Sequence, residues 1–129
     1  MRAALLRTWL NGWCTGRCFG ICGGHCFFGC RRGEDDVRHY VGCPILWQFG
    51  AATLGTADPR APEERTLRAL LWHTGASTAE LASTATLIAV GYKAHTVLRR
   101  TPAPGLDVKR LFIEVYKQLG VPATAGDDE

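Results

Sequence analysis

The sequence predicts an all-α protein in which a Cys-rich loop and a short helix are followed by a small bundle of about four helices. Three observations support this fold class. Apolar residues recur at intervals of three and four along several segments, which is the period of a helix with one buried face. Residues that start and stop helices stand at the ends of these segments. No segment shows the regular alternation of a convincing half-buried strand.

The 129 residues allow one domain, or one small domain with appendages. Four ranges are predicted: an N-terminal amphipathic helix over 1–13, a Cys-rich module over 14–55, a helical region over 56–120 and a disordered tail over 121–129. Two interpretations of the first helix stay open. It packs on the rest of this chain, or it is the end of a larger preceding domain and Met1 is not the native start.

The charged turn before Val37 predicts a short helix over about 36–42, with Asp35 as its N-cap. The residues expected to face the core from this helix are Val37, Tyr40 and Val41. Pro44 ends this helix and is suited to the first position of the next. That next helix is predicted to end near Gly55, and its residues Ile45, Leu46 and Phe49 are expected to face the core.

Three longer helices are predicted downstream, over about 62–75, 78–100 and 107–119. Each has an apolar stripe at helical spacing. The stripes are Leu67, Leu70 and Leu71; Leu81, Ala85, Ile88 and Tyr92; and Val108, Leu111, Phe112, Val115 and Leu119. His95 continues the second stripe and is predicted to be a core histidine.

The distribution of the six Cys favours metal binding over disulfides. Five lie between Cys14 and Cys30, the sixth is Cys43, and none follows. The N-terminal apolar run is interrupted by polar residues, so it does not form a signal-peptide core, and no stretch has the length and apolar content of a membrane span. We therefore expect an intracellular protein, nuclear or cytoplasmic and not secreted, whose thiols stay reduced.

The strongest ligand pattern is Cys26, Cys30, His39 and Cys43, which fall within 18 residues. Thiolate and imidazole are the ligands that Zn²⁺ takes in closed tetrahedral sites, and four protein ligands leave no position for a reacting water. The pattern predicts a structural Zn²⁺ site that staples the loop to the short helix. The alternative is a set of ordinary thiols beside a surface histidine.

A second candidate metal set consists of Cys14, Cys18, Cys22 and His25. These Cys continue a four-residue repeat in a Gly-rich stretch that also resembles a low-complexity expansion. Loop cysteines without a fixed partner are the favoured interpretation, and Cys22 is a candidate substitute ligand for the first site.

Four arginines near the Cys pattern are candidate contacts for RNA or DNA: Arg17, Arg31, Arg32 and Arg38. Arginine commonly binds phosphate groups. However, Glu34, Asp35 and Asp36 lie beside them, and the net charge of +3 is mild. A solvated surface without a nucleic-acid role is the competing interpretation.

No catalytic residues are predicted, and the chain is expected not to be an enzyme. The sequence contains no phosphate loop, nucleophile elbow or HExxH motif. Asp35 and Asp36 enter a helix, unlike the paired aspartates on a hairpin that bind Mg²⁺ in polymerases. A thiol redox role is disfavoured because no CxxC pair is present.

The order Gly29-Cys30, Gly33-Glu34-Asp35, Val37, His39-Tyr40 and Cys43-Pro44 resembles the zinc-binding segment downstream of the reverse transcriptase in LINE-like (non-LTR) retrotransposons. The segment from Trp9 to Trp13 is similar to the helix that precedes it, so the resemblance covers about residues 5–50. That family commonly has two residues between the first Cys pair and four between His and the last Cys, whereas both gaps are three here.

The resemblance implies metal-ligand roles for Cys26, Cys30, His39 and Cys43, and a C-terminal fragment of a retroelement product that lacks polymerase motifs. It implies RNA or DNA as a partner, together with a preceding reverse transcriptase domain. Two hypotheses follow: a non-catalytic zinc-binding module that assists nucleic-acid binding, or a small helical metal-binding module for structure or protein interaction without that role.

Overall fold

The structure is a computed structural model that describes residues 24–30, 33–69, 77–100 and 107–120. Five α-helices occur in these ranges: α1 (Val37–Tyr40), α2 (Pro44–Phe49), α3 (Pro62–Ala69), α4 (Thr78–Arg100) and α5 (Val108–Gln118). A π-helical segment, Gly50–Leu54, continues α2. The described ranges contain no strand beyond one isolated antiparallel bridge between His25 and Glu34. The predicted all-α class is therefore confirmed.

The short helix α1 is capped by a different residue from the one predicted. Asp36 has extended backbone angles, and its carboxylate accepts the Arg38 backbone N–H at 3.3 Å. The predicted cap, Asp35, is instead buried at 6 % exposure. Val37, Tyr40 and Val41 are all buried, as expected. The sequence pattern therefore predicts the helix start to within one residue. Asp35 is not the cap because its carboxylate accepts hydrogen bonds from Tyr40 and His95 in the core.

Helix α2 begins at Pro44, as predicted, and its π-helical continuation ends at Gly55, which has a left-handed φ of 69°. Gly50 lies where this segment meets α4. A Cβ on Gly50 would lie 2.9 Å from Leu87 Cδ2, so glycine permits the close approach of the two elements. Leu46 and Phe49 are buried as predicted, Ile45 is half-buried, and Trp47 is completely buried.

Helix α3 begins at Pro62, as predicted, and the one described residue of its predicted apolar stripe is not buried. Leu67 is 45 % exposed, whereas Arg65 and Ala69 are buried. Leu70 and Leu71 lie outside the described residues. One turn of apolar spacing does not determine which face of a helix meets the core. In α3, the ion pair with Asp58 holds Arg65 inward, and Leu67 lies on the exposed face.

Helix α4 is the central element and packs against α2, the π-helical segment, α3 and α5. Every residue from Thr84 to Gly91 is buried, so the predicted single stripe was too narrow. Small side chains at most of these positions allow close approach on several sides. His95 is 1 % exposed, which confirms that it is a core histidine.

Helix α5 closes the core. Asp107 caps it by accepting the backbone N–H groups of Lys109 and Arg110 at 3.1 and 3.3 Å. Phe112 and Val115 are buried, and the other predicted stripe residues, Val108, Leu111 and Leu119, are half-buried against the same core. The predicted inward face of α5 is therefore confirmed.

One core contains side chains from both the Cys-rich module and the helical region. Phe28 meets Phe112 edge-on with ring centroids 5.0 Å apart, and Phe112 also packs against Phe49 at 5.3 Å. Cys26 and Cys43 belong to the same buried cluster. The predicted ranges 1–13 and 121–129 lie outside the described residues, as do 14–23. Within the part described, no helix has the length and apolar character needed to cross a lipid bilayer.

Candidate metal centre

The structure brings together the four residues predicted as metal ligands. One ligand atom from each of Cys26, Cys30, His39 and Cys43 lies within 4.8 Å of every other. Cys26 Sγ and Cys43 Sγ are 3.9 Å apart, and Cys30 Sγ is 3.0 Å from His39 Nε2. Tetrahedral Zn²⁺ with Zn–S bonds of about 2.3 Å would hold two sulfurs about 3.8 Å apart. The group could therefore hold a metal ion.

A tight loop positions the first Cys pair. The Cys26 N–H donates to Gly33 O at 3.1 Å, and the Asp35 N–H donates to Gly24 O at 2.9 Å, so the two sides of the loop are held antiparallel. Gly29, with φ 82°, turns the chain between Cys26 and Cys30. The left-handed conformation at this turn favours glycine over residues with a Cβ.

The second ligand pair comes from α1 and the turn that follows it. His39 lies on α1, and Cys43 follows after the Gly42 N–H has bonded to His39 O at 2.9 Å. Gly33 passes against the His39 ring, and a Cβ on Gly33 would overlap three atoms of the imidazole. This close approach lets the loop and α1 place their ligands at one point.

The two buried thiols, Cys26 and Cys43, lie within hydrogen-bonding distance of each other. The hydrogen bond from Cys43 lowers the pKa of Cys26 to about 4, with a further contribution from His39 and against the opposing effect of burial. The same hydrogen bond and burial raise the pKa of Cys43. The Phe28 backbone N–H also donates to Cys26 Sγ, at 3.3 Å. The lowered pKa favours the thiolate form of Cys26, which is the form that binds metals. Metal binding would also release the proton of Cys43.

A buried polar network links the Cys loop to the central helix, and sequence reasoning did not find it. Tyr40 Oη donates to Asp35 Oδ1 at 2.5 Å and accepts the Phe27 N–H at 3.1 Å. His95 Nε2 donates to the same Asp35 oxygen at 3.0 Å, across 60 positions of sequence. The Phe27 ring stacks on the His95 imidazole with centroids 5.1 Å apart. The network holds α4 against the residue next to Cys26.

One sequence signal could have indicated part of this network. The apolar stripe of α4 places His95 in the core, and a buried imidazole needs a hydrogen-bonding partner. The identity of the partner is set by tertiary packing, so Asp35 could not be inferred from spacing along the chain. Tyr40 is likewise completely buried, and both burial and the Asp35 carboxylate raise its pKa.

Of the other predicted site residues, only His25 and Arg38 are within the described ranges. Cys14, Cys18, Cys22, Arg17, Arg31 and Arg32 lie outside the described residues. His25 is described, is exposed and does not belong to the ligand group. Arg38 is exposed on α1 and lines an open cleft with His39. No family model matches this chain, and comparisons with curated proteins and with solved structures give no match either.

Proposed function

We propose that this chain is a non-catalytic zinc-binding module that assists RNA or DNA binding by a retroelement protein. The observation that carries the metal part is the convergence of three thiols and one imidazole, with their ligand atoms within 4.8 Å. The nucleic-acid part is supported by the resemblance of residues 5–50 to the segment downstream of a LINE-like reverse transcriptase, and that preceding domain is the proposed protein partner.

Zinc is the metal that this donor set favours. Three thiolates and an imidazole are soft to borderline ligands, unlike the oxygen ligands that Mg²⁺ and Ca²⁺ require. Cys26 and Cys43 are 6 % and 0 % exposed, so two of the ligands are shielded from solvent. A tetrahedral ion bound by all four side chains has no open position, and its role would be to stabilise the fold.

A module of this kind needs no catalytic residues of its own. Buried ionisable groups of the described core form hydrogen bonds with one another: Asp35 accepts from Tyr40 and His95, and the Cys26 thiol pairs with the Cys43 thiol. The proposal therefore assigns any polymerase chemistry to the preceding domain and assigns to this chain only binding and structural support.

The second candidate function is a helical metal-binding module for structure or protein interaction, without a nucleic-acid role. It is favoured by the acidic residues that flank Arg38, since Glu34 is exposed and Asp36 is half-buried on the same loop. Charge reversal at Arg31, Arg32 and Arg38 separates the two functions. The first predicts salt-dependent RNA binding that is abolished by the reversal, and the second predicts no such binding.

Metal analysis of the purified protein tests the site itself. We expect wild-type protein to contain stoichiometric zinc, and His39→Ala and Cys43→Ala to lose it. Cobalt(II) substitution should give the intense visible bands of a tetrahedral thiolate complex. Stoichiometric zinc in both variants would show that the proposed site is wrong. His25→Ala is the matched control, and zinc loss in that variant would instead indicate the second ligand set.

A further inference from the structure

We propose that an open cleft between α1 and residues 60–66 binds the phosphodiester backbone of single-stranded nucleic acid. This inference rests on the proposed nucleic-acid function and names the surface that performs it. The cleft has a volume of about 420 Å³, within the range of ligand-binding clefts. It is lined by Arg38, His39, Gly42, Pro44, Arg60, Pro62, Arg65 and Thr66.

The lining carries one sign of charge. It includes three arginines and neither an aspartate nor a glutamate. Clefts lined by one sign of charge concentrate ligands of the opposite charge, and guanidinium groups match the geometry of phosphate oxygens. A multiply charged phosphate chain is therefore the ligand class that this lining favours.

Arg65 forms a fixed part of this lining. Its side chain is 8 % exposed, and its Nε and Nη2 donate to the Asp58 carboxylate at 2.8 and 3.0 Å. Its Nη1 donates to Gly42 O at 3.1 Å, which ties α3 to the turn before Cys43. The Arg65 contact lowers the pKa of Asp58, so this pair is ionised and its charges offset each other. The net positive charge comes from the other two arginines.

Arg38 and Arg60 are the proposed phosphate contacts. Both are exposed, and neither guanidinium is paired with a carboxylate within the described ranges. Arg60 has φ 69° and is the one non-glycine residue with positive φ in the described part of the chain. Its backbone is held there by an N–H bond to Asp58 Oδ1 at 2.9 Å. A residue with a Cβ is strained in this conformation, and such positions cluster at ligand clamps.

A second cleft has a lining of mixed charge, so a lining with only positive charge is not common to all clefts of the described surface. It lies between Gly55 and Thr84, has a volume of about 110 Å³, and contains Arg68 together with Glu80. Its charges are mixed and its volume is small, so it does not favour a polyanion. The arginine cleft also differs by its location, since Arg38 is carried by α1, the same helix that presents His39 to the metal centre.

The experiment measures binding of a fluorescent 12-nucleotide oligo(U) to the zinc-loaded chain by anisotropy. The variants are Arg38→Gln, Arg60→Gln and the double variant. Arg110→Gln is the matched control, because Arg110 is exposed on α5 and the substitution removes the same charge. Zinc content and circular dichroism verify the fold of each variant. Inorganic phosphate at matched ionic strength is added as a competitor to distinguish a nucleic-acid strand from free phosphate.

Two phosphate contacts predict that the double variant loses about 1.4 from the salt slope of log K, at about 0.7 per contact for a single strand. That slope difference corresponds to about a sevenfold affinity difference between 50 and 200 mM salt. Each single variant should lose about 0.7 from the slope, and the Arg110→Gln control should retain the wild-type slope.

Three results would contradict the proposed role of the cleft. The first is a double variant that binds like the Arg110→Gln control; oligo(U) binding would then persist elsewhere, and the proposed function would stand without this cleft. The second is displacement of oligo(U) by inorganic phosphate at a concentration equal to that of oligo(U) phosphate groups, which would assign the cleft to free phosphate. The third is no binding by the zinc-loaded wild-type chain, which removes the nucleic-acid function and the cleft together.

Discussion

Gly33 lies where the loop backbone passes the His39 imidazole, and it shows how a single hydrogen in place of a methyl group can determine a ligand's position. Any Cβ at this position would overlap the ring. The ring would then have to leave its present position, in which Nε2 lies 3.0 Å from Cys30 Sγ.

We expect Gly33→Ala to lower zinc affinity at least about tenfold, the scale of a misoriented ligand. Competition with a chromophoric chelator measures the affinity. Gly24→Ala is the matched control, since its Cβ would meet only Asp35 Cβ at an ordinary 3.5 Å. Equal affinities of the two variants would contradict the assignment of His39 as a ligand in this geometry.

Asp35 and Asp36 are adjacent carboxylates with very different surroundings. Asp36 caps α1 at the surface, whereas buried Asp35 accepts hydrogen bonds from Tyr40 and His95. Removal of the Asp35 carboxylate leaves two buried donors without an acceptor, and each unsatisfied donor destabilises the fold by about 1–3 kcal/mol. Loss of an N-cap destabilises it by about 1 kcal/mol.

Asp35→Ala should therefore reduce the free energy of unfolding of the zinc-loaded protein by about 3 kcal/mol, and Asp36→Ala by about 1 kcal/mol. Urea denaturation measures both. If the two variants lose the same stability, the buried network does not contribute as its geometry indicates.

The protonation of His95 gives a pH dependence of known sign. Burial lowers the pKa of His95, and Arg99 adds to this, although the Asp35 carboxylate opposes it. The unfolded chain therefore binds more protons than the folded chain between the two pKa values. His95 contributes stability that is present above about pH 6.5 and is lost as pH falls through the lower folded-state pKa.

We expect the stability advantage of wild type over His95→Gln to be larger at pH 7.5 than at pH 5.5. The comparison uses unfolding free energies at both pH values, so that effects of pH on the metal ligands are common to both proteins. An advantage that grows on acidification would mean that the charged imidazole is the stabilised form.

At the scale of elements, α5 completes the core that covers the Cys loop. Its Phe112 touches Phe28 of the loop and Phe49 of α2, so one side chain joins three segments. The neighbouring Ile113 points outward and is 40 % exposed. The amphipathic spacing of α5 separates these two adjacent residues into a core residue and a surface residue.

Phe112→Ala should destabilise the protein by about 3–5 kcal/mol, because it removes a fully buried ring and leaves a cavity. Ile113→Ala should change stability by less than about 1 kcal/mol, as expected for an exposed position. Thermal and urea unfolding measure both effects. Similar losses from both variants would contradict the packing of α5 on the loop.

At the scale of the whole molecule, the metal centre and the hydrophobic core form one unit. Cys26 and Cys43 belong to the buried cluster that also contains residues of α2, α4 and α5. If zinc binds the folded state alone, the free energy of unfolding rises by about 1.4 kcal/mol for each tenfold increase of free zinc above its dissociation constant.

We therefore expect a zinc chelator to lower the Tm of the entire described core, and added zinc to raise it. Cys43→Ala should lose this dependence, and the exposed His25→Ala should keep it. Calorimetry at buffered free-zinc concentrations makes the measurement. A Tm that is independent of zinc in the wild-type protein would separate the site from the stability of the core.

Local sequence patterns are sufficient to predict the all-α class, the starts of α2 and α3 at proline, the inward face of α5 and the residues that converge at the candidate metal centre. These features depend on local chemistry: the helical period, the fixed φ of proline and ligand spacing. The turn between Cys26 and Cys30 is also formed by local chemistry, since it needs a left-handed residue at Gly29.

Tertiary packing sets the roles that depend on distant partners. Asp35 is buried and hydrogen-bonded to His95, and Asp36 caps α1 in its place. The same packing left Leu67 exposed while Arg65 paired inward with Asp58, and it surrounded α4 on several faces. It also placed Arg60 beside Arg38 around one cleft. The physical reason is that burial and hydrogen bonding depend on which segments meet in space, and a linear pattern does not contain that information.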